Sequence, residues 1–147
     1  MGDVLRSVYV RRPLDEVCAV ITDPAIAFSI IGDFGRFAKI AEMPDGAQEW
    51  DLFLPVGTVH IGGRVLVPPR RPDELTWTSI RGTHNHARVW ATAEGAGTQL
   101  NMSIGVTFVG MISGWLAGLL AKDILARHVQ ASLEQLRHHI EYAALLD

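Results

Sequence analysis

Charge is missing from one long stretch of this chain. Between Glu94 and Lys122 there is no Asp, Glu, Lys or Arg, and an apolar span of about 20 residues is the length of a membrane helix. The pattern inside the gap argues against a membrane span. Leu100, Met102, Ile104, Val106 and Phe108 alternate with Asn101, Ser103, Gly105 and Thr107, which is the two-residue period of a half-buried strand. After Gly110 the period changes. Ile112, Leu116, Leu119, Leu120, Ile124, Val129, Leu133, Leu136 and Ile140 recur mainly at three- and four-residue steps, one stripe of an α-helix. The gap is a strand followed by the start of a helix, each too short to cross a bilayer.

Other absences narrow the class. Cys18 is the only cysteine, so no internal disulfide can form and a cytoplasmic location is the expectation. It stands between Val17 and Ala19 in an apolar stretch, where a small packed residue is expected rather than a nucleophile. A net charge of −3 gives no electrostatic footprint for nucleic acid. No positively charged start precedes an apolar run, so no signal peptide is read. No repeat or linker divides the chain, and residues 1–147 are read as one domain with enough sequence for a core.

What is present reads as strand, two short helices, six strands and a long helix. Val4–Val10 is the first strand. Pro13 opens a short helix, with Asp15 and Glu16 at its positive end. Asp23-Pro24 breaks it, and Ala25–Ile31 forms a second. Arg36–Met43, Gln48–Leu54, Thr58–Val67, Leu75–Arg81, Ala87–Ala93 and the alternating strand follow. Pro44-Asp45-Gly46 is a hairpin turn, Pro55 with Gly57 ends a strand, and His84–His86 lies in or beside a turn. Gly62-Gly63 inside a strand predicts a bulge or a close backbone approach. The order is an α+β arrangement with helices segregated from a meander.

Four local features carry a family resemblance: the first strand running into Pro13-Leu14-Asp15-Glu16-Val17, the strand containing Leu75-Thr76-Trp77, the Gly97-Thr98 hairpin, and the closing helix through Ser132-Leu133-Glu134-Gln135-Leu136. Together they resemble the START-like helix-grip superfamily, also called SRPBCC, and within it the polyketide cyclase/dehydrase and lipid-transport group. The resemblance implies a curved antiparallel sheet of six to seven strands around a long C-terminal helix. It also implies a hydrophobic cavity between them for a lipid, polyketide or aromatic metabolite. The sequence departs from a common pattern of that group in carrying Phe34 and Phe37, not Trp, after the second short helix.

Strand alternation then names the cavity wall. Leu100, Met102, Ile104 and Val106 face inwards, with Val89 and Ala91 on the neighbouring strand. Leu75, Trp77, Ser79 and Arg81 share one parity, as do Val59, Ile61 and Val65, and Trp50, Leu52 and Leu54. Met111, Leu116 and Leu120 supply the helix side. Small residues (Gly63, Ser79, Ala91) beside large ones leave room for a ligand. The competing reading of the same residues is ordinary core packing.

Acid–base chemistry in such a cavity needs a proton carrier with a pKa near neutrality. Asp33, Asp51, His60, Arg81 and His128 are the available groups. His60 alternates to the outer face, His128 flanks the helical stripe, and Arg81 could meet a carboxylate at the mouth. No Ser-His-Asp or Cys-His arrangement is legible. His138-His139 point about 100° apart on a helix, and no Cys pair is present, so no metal and no cofactor are expected. Arg88 and Trp90 have outward parity, making Trp90 a candidate contact for a homodimer. Three functions compete: a non-catalytic binding protein for a small hydrophobic molecule, a cyclase/dehydrase, and a protein-interaction domain with a filled cavity. Gly114 and Gly118 on one helix face predict a close approach or a mobile lid.

Overall fold

The two hydrophobic periods become two layers. Strands β1 (Val4–Val10), β2 (Arg36–Glu42), β3 (Gln48–Val56), β4 (Val59–Val67), β5 (Glu74–Gly82), β6 (His84–Glu94) and β7 (Gly97–Thr107) make one layer. Helices α1 (Leu14–Ile21) and α2 (Pro24–Ile31) lie between β1 and β2 in sequence, and α3 (Gly114–Ala143) comes last. The computed structural model describes residues 3–31, 36–56, 59–107 and 114–143, with side chains at 3–31, 36–53, 62–107 and 122–142. Phe34 therefore lies outside the described residues, and the packing expected around Gly114 and Gly118 lies outside those whose side chains are described.

All seven strands join one curved antiparallel sheet in the order β1-β7-β6-β5-β4-β3-β2. Its edges are β1 and β2. Pro13 stands just before α1 in an extended conformation (φ −62°, ψ 155°), as a capping residue does, and its carbonyl accepts the N–H of Glu16 and Val17 at 3.1 and 3.2 Å. Thr22 ends the helix by sending both its N–H (3.1 Å) and its hydroxyl (2.6 Å) to the Cys18 carbonyl. Asp23 then opens α2, its carboxylate accepting the Ala25 N–H at 3.0 Å, with Pro24 at the first helical position.

Helix α3 buries Leu125, Val129, Leu133, Leu136 and Ile140, a stripe at three- and four-residue steps that faces the sheet. The Arg11 N–H donates to the Glu141 carboxylate at 2.8 Å, which fixes the late turns of α3 beside the end of β1. Among the described residues no helix is long and apolar enough to cross a membrane.

Two strand boundaries differ from expectation. Pro55 does not end β3: it pairs with His60 of β4 one residue before the strand closes, near a strand end where a missing N–H is tolerated. His84–His86 is not a turn but the start of β6, with Asn85 opposite Val106 and His86 opposite Gly105. The turn is compressed onto Thr83, whose N–H donates to the Gly62 carbonyl at 3.0 Å.

The bulge expected at Gly62-Gly63 lies between β4 and β5. Arg64 faces Arg81 and Val65 faces Ser79, so Ile80 has no partner. A Cβ on Gly63 (φ +144°) would lie 2.0 Å from the Arg81 carbonyl oxygen, and one on Gly82 (φ +86°) 2.3 Å from that of Gly62. Only glycine permits that approach.

Candidate ligand cavity

The concave face of the sheet meets α3 around Trp77. Its ring is 1% exposed, and its indole N–H donates to Asn85 Oδ1 at 3.1 Å. A buried indole needs such an acceptor. Asn85 is itself held in place: its side-chain amide donates to the Thr83 carbonyl at 2.8 Å, and its backbone N–H to Ser79 Oγ at 3.0 Å. The short turn thus orients the ring by way of Asn85.

Phe28 of α2 completes an aromatic cluster. It stacks on Phe37 of β2 (centroids 4.7 Å, planes 13° apart) and meets Trp50 and Trp77 edge-on at 4.8 and 5.4 Å. Both arrangements are favourable for ring quadrupoles. Trp50 sends its own N–H to Gln48 Oε1 at 2.8 Å.

Beside this cluster a cavity of about 20 Å³ is lined by Ile31, Phe37, Trp77, Met102, Ile104, Leu125, His128, Val129 and Ser132. That volume holds about one water molecule. The wall is apolar except for His128 and Ser132, four residues apart and therefore on one face of α3. A larger molecule fits only if lining side chains move. Met102, unbranched and adaptable, and Phe37 on the sheet-edge strand β2 are the natural candidates.

The strand residues named from sequence take the following places. Trp50, Leu52, Val65, Trp77, Val89, Met102, Ile104 and Val106 are all buried, and of these Trp77, Met102 and Ile104 touch the cavity. Ser79 is half-buried and serves the Asn85 network. Arg81 does not follow the inward parity. The bulge at Ile80 turns it opposite Arg64 on the convex face, where it is exposed. Asp51 is also convex, with Arg64 Nε donating to it at 3.1 Å. The side chains of Ile61, Met111, Leu116 and Leu120, and of Asp33 and His60, lie outside the described residues. Trp90 faces outwards, half-buried, under the Arg88 guanidinium 4.3 Å from its ring centre.

Among the lining or supporting groups that escaped the sequence reading are Asn85, Phe28, Ser132 and Leu125, the last passed over for its neighbour Ile124. Asn85 shares the parity of Ala87 and Val89 once β6 is extended back to His84. Phe28 lies in a helix of almost continuous apolar character, so its periodicity named no face. Cys18 is half-buried on α1. Burial first, then the nearby charges of Asp73 and Asp15, pushes its thiol pKa up, opposite to what an activated nucleophile needs. Among the described residues no group of three or more His, Cys, Asp or Glu is placed to hold a metal.

A curved seven-stranded antiparallel sheet gripping one long terminal helix, with two short helices after the first strand, is the START-like (SRPBCC) helix-grip fold. No protein-family model matches the sequence, and no curated protein sequence does either. Solved structures of the same architecture do. TTHA0849 from Thermus thermophilus superposes with a TM-score of 0.82 at 14% identity, over 97% of this chain and 99% of that one. The Zhui aromatase/cyclase from Streptomyces sp. R1128 gives 0.77 at 14% identity, over 97% and 95%. The di-domain ARO/CYC StfQ from the steffimycin biosynthetic pathway gives 0.72 at 15% identity, over 97% of this chain and 52% of that one.

Proposed function

We propose that this protein binds a small hydrophobic molecule, a lipid, polyketide or aromatic metabolite, between the concave sheet face and α3. The observation that carries the reading is the composition of the cavity wall. Trp77, Met102, Ile104, Leu125 and Val129 offer apolar surface, while His128 and Ser132 add two polar groups at one spot. An apolar site with a few converging polar groups is the usual build of a small-molecule site. The aromatic cluster of Phe28, Phe37, Trp50 and Trp77 favours ligands with planar, polarisable parts.

Trp77 reports occupancy directly. Titration with an environment-sensitive aromatic probe such as 8-anilinonaphthalene-1-sulfonate is expected to quench tryptophan emission saturably. Ser132→Phe, which fills the cavity from α3, is expected to weaken binding about tenfold or more while the protein stays folded. Equal affinity in the variant would place the probe elsewhere and count against the reading.

A second reading has one observation in its favour. His128, whose imidazole can both donate and accept a proton, stands on the cavity wall. That is where a cyclase or dehydrase would need its proton carrier, and the aromatase/cyclase names of two structural neighbours point the same way. In a carrier His128→Gln leaves the bound molecule chemically unchanged. In an enzyme it stops conversion of a molecule that still binds.

A further inference from the structure

The bulge that removes Arg81 from the cavity places it in a patch on the convex face. Arg36 pairs with Phe53, and Phe53 with Gly62. Cross-strand partners share a face, and Phe53 is 42% exposed, so this row points outwards. A Cβ on Gly62 would lie 2.4 Å from the Phe53 ring. The glycine therefore lets that ring lie flat on the sheet, with the Arg36 guanidinium 5.9 Å from its centre. One step along the strands, Arg64 faces Arg81, and Ile80 beside it is 51% exposed.

The patch thus carries two large apolar side chains, on strands two spacings or about 10 Å apart, and three arginines. Arg64 is neutralised by Asp51. Among the described residues Arg36 and Arg81 have no acidic partner, on a chain whose net charge is −3. Positive charge with no acidic partner among the described residues, concentrated beside exposed Phe and Ile against the sign of the whole molecule, marks a surface for a negatively charged apolar partner.

We infer that this convex patch docks on an anionic lipid bilayer, with Phe53 and Ile80 entering the headgroup region and Arg36 and Arg81 meeting lipid phosphates. A bilayer suits the arrangement better than an acidic protein does. The charges need only a diffuse negative surface, whereas a protein partner would need matching geometry. The apolar tips need an apolar layer within a side chain's reach of that charge. Attachment is weak and reversible, because each basic residue near an anionic membrane adds about a fivefold gain in partitioning.

Flotation with vesicles of phosphatidylcholine and phosphatidylglycerol at about 70:30, beside pure phosphatidylcholine, tests this without any cavity ligand. The protein is expected to float with the anionic vesicles only, and to be released when NaCl rises from about 0.1 to 0.5 M, where charges are screened. Arg36→Gln with Arg81→Gln is expected to lower binding at least about tenfold. Ile80→Ser, at an exposed position that leaves the Phe53 packing intact, is expected to lower it severalfold with unchanged melting. Equal binding to both vesicle types, no effect of either variant, or binding to soluble poly-glutamate with none to vesicles would overturn the inference. The cavity reading would stand in each of those cases.

Discussion

At the residue scale, Glu74 shows how the convex surface is organised. It accepts Arg71 Nη1 at 2.6 Å and Arg88 Nε at 2.5 Å, and Arg88 in turn covers the Trp90 ring. Its carboxyl is held below the usual range, first by the hydrogen bond from Arg88 and then, against an opposing burial cost, by Arg71 and both positive charges. A depressed carboxylate contributes stability that is fully present above its unfolded pKa and is lost as pH falls through the folded one. Glu74→Gln is therefore expected to lower the melting temperature by about 2–4 °C at pH 7, for a partly exposed network contributing about 1 kcal/mol. Thermal melts should show the difference shrinking as pH falls below about 4.3, the ordinary glutamate value, and vanishing once pH has passed through the lower folded one. A difference that persists at that acidity would mean Glu74 acts through packing instead of charge.

At the scale of elements, the β4–β5 pair decides which side chains reach the cavity. Gly63 and Gly82 bring two backbones closer than any Cβ allows, and the resulting bulge reverses the side of Arg81. Gly63→Ala is expected to cost about 2–4 kcal/mol in denaturant unfolding, since it adds both a clash and an unfavourable φ. A loss below about 0.5 kcal/mol would show that the strands can slide past the added methyl. The same elements explain what could be read from sequence. Period-two alternation in Leu100–Val106 and in Trp50–Leu52 names the correct inward residues because both strands are regular there.

Alternation fails at Ile80. The Gly62-Gly63 pair announces an irregularity, but its effect falls on the partner strand, and strand pairing is a non-local fact. Asn85 is hidden by a turn one residue long, held short by the Thr83–Gly62 hydrogen bond. Phe28 is hidden because Pro24–Ile31 is apolar nearly all round, with Ser29 its only polar side chain. A helix with little amphipathic pattern does not declare its buried face. The place of His128 at the flank of the α3 stripe is legible from spacing, but only the fold brings it to the same cavity as Met102 and Trp77.

At the scale of the whole molecule, the grip of sheet on α3 separates two surfaces of different chemical character. The concave side holds the aromatic cluster and the cavity. The convex side holds ion pairs, the Arg88–Trp90 stack and the Arg36–Phe53–Ile80–Arg81 patch. A carrier of the proposed kind would use both, and the bulge at Ile80 sets Arg81 on the convex one. The central claim is the internal ligand. Native mass spectrometry of the protein purified gently from its own host tests it most directly. The expected result is a protein ion heavier than the 147-residue chain by a small molecule, shed on mild collisional activation and missing from Ser132→Phe. Repeated preparations showing only the bare chain mass, with wild type and variant alike, would contradict it.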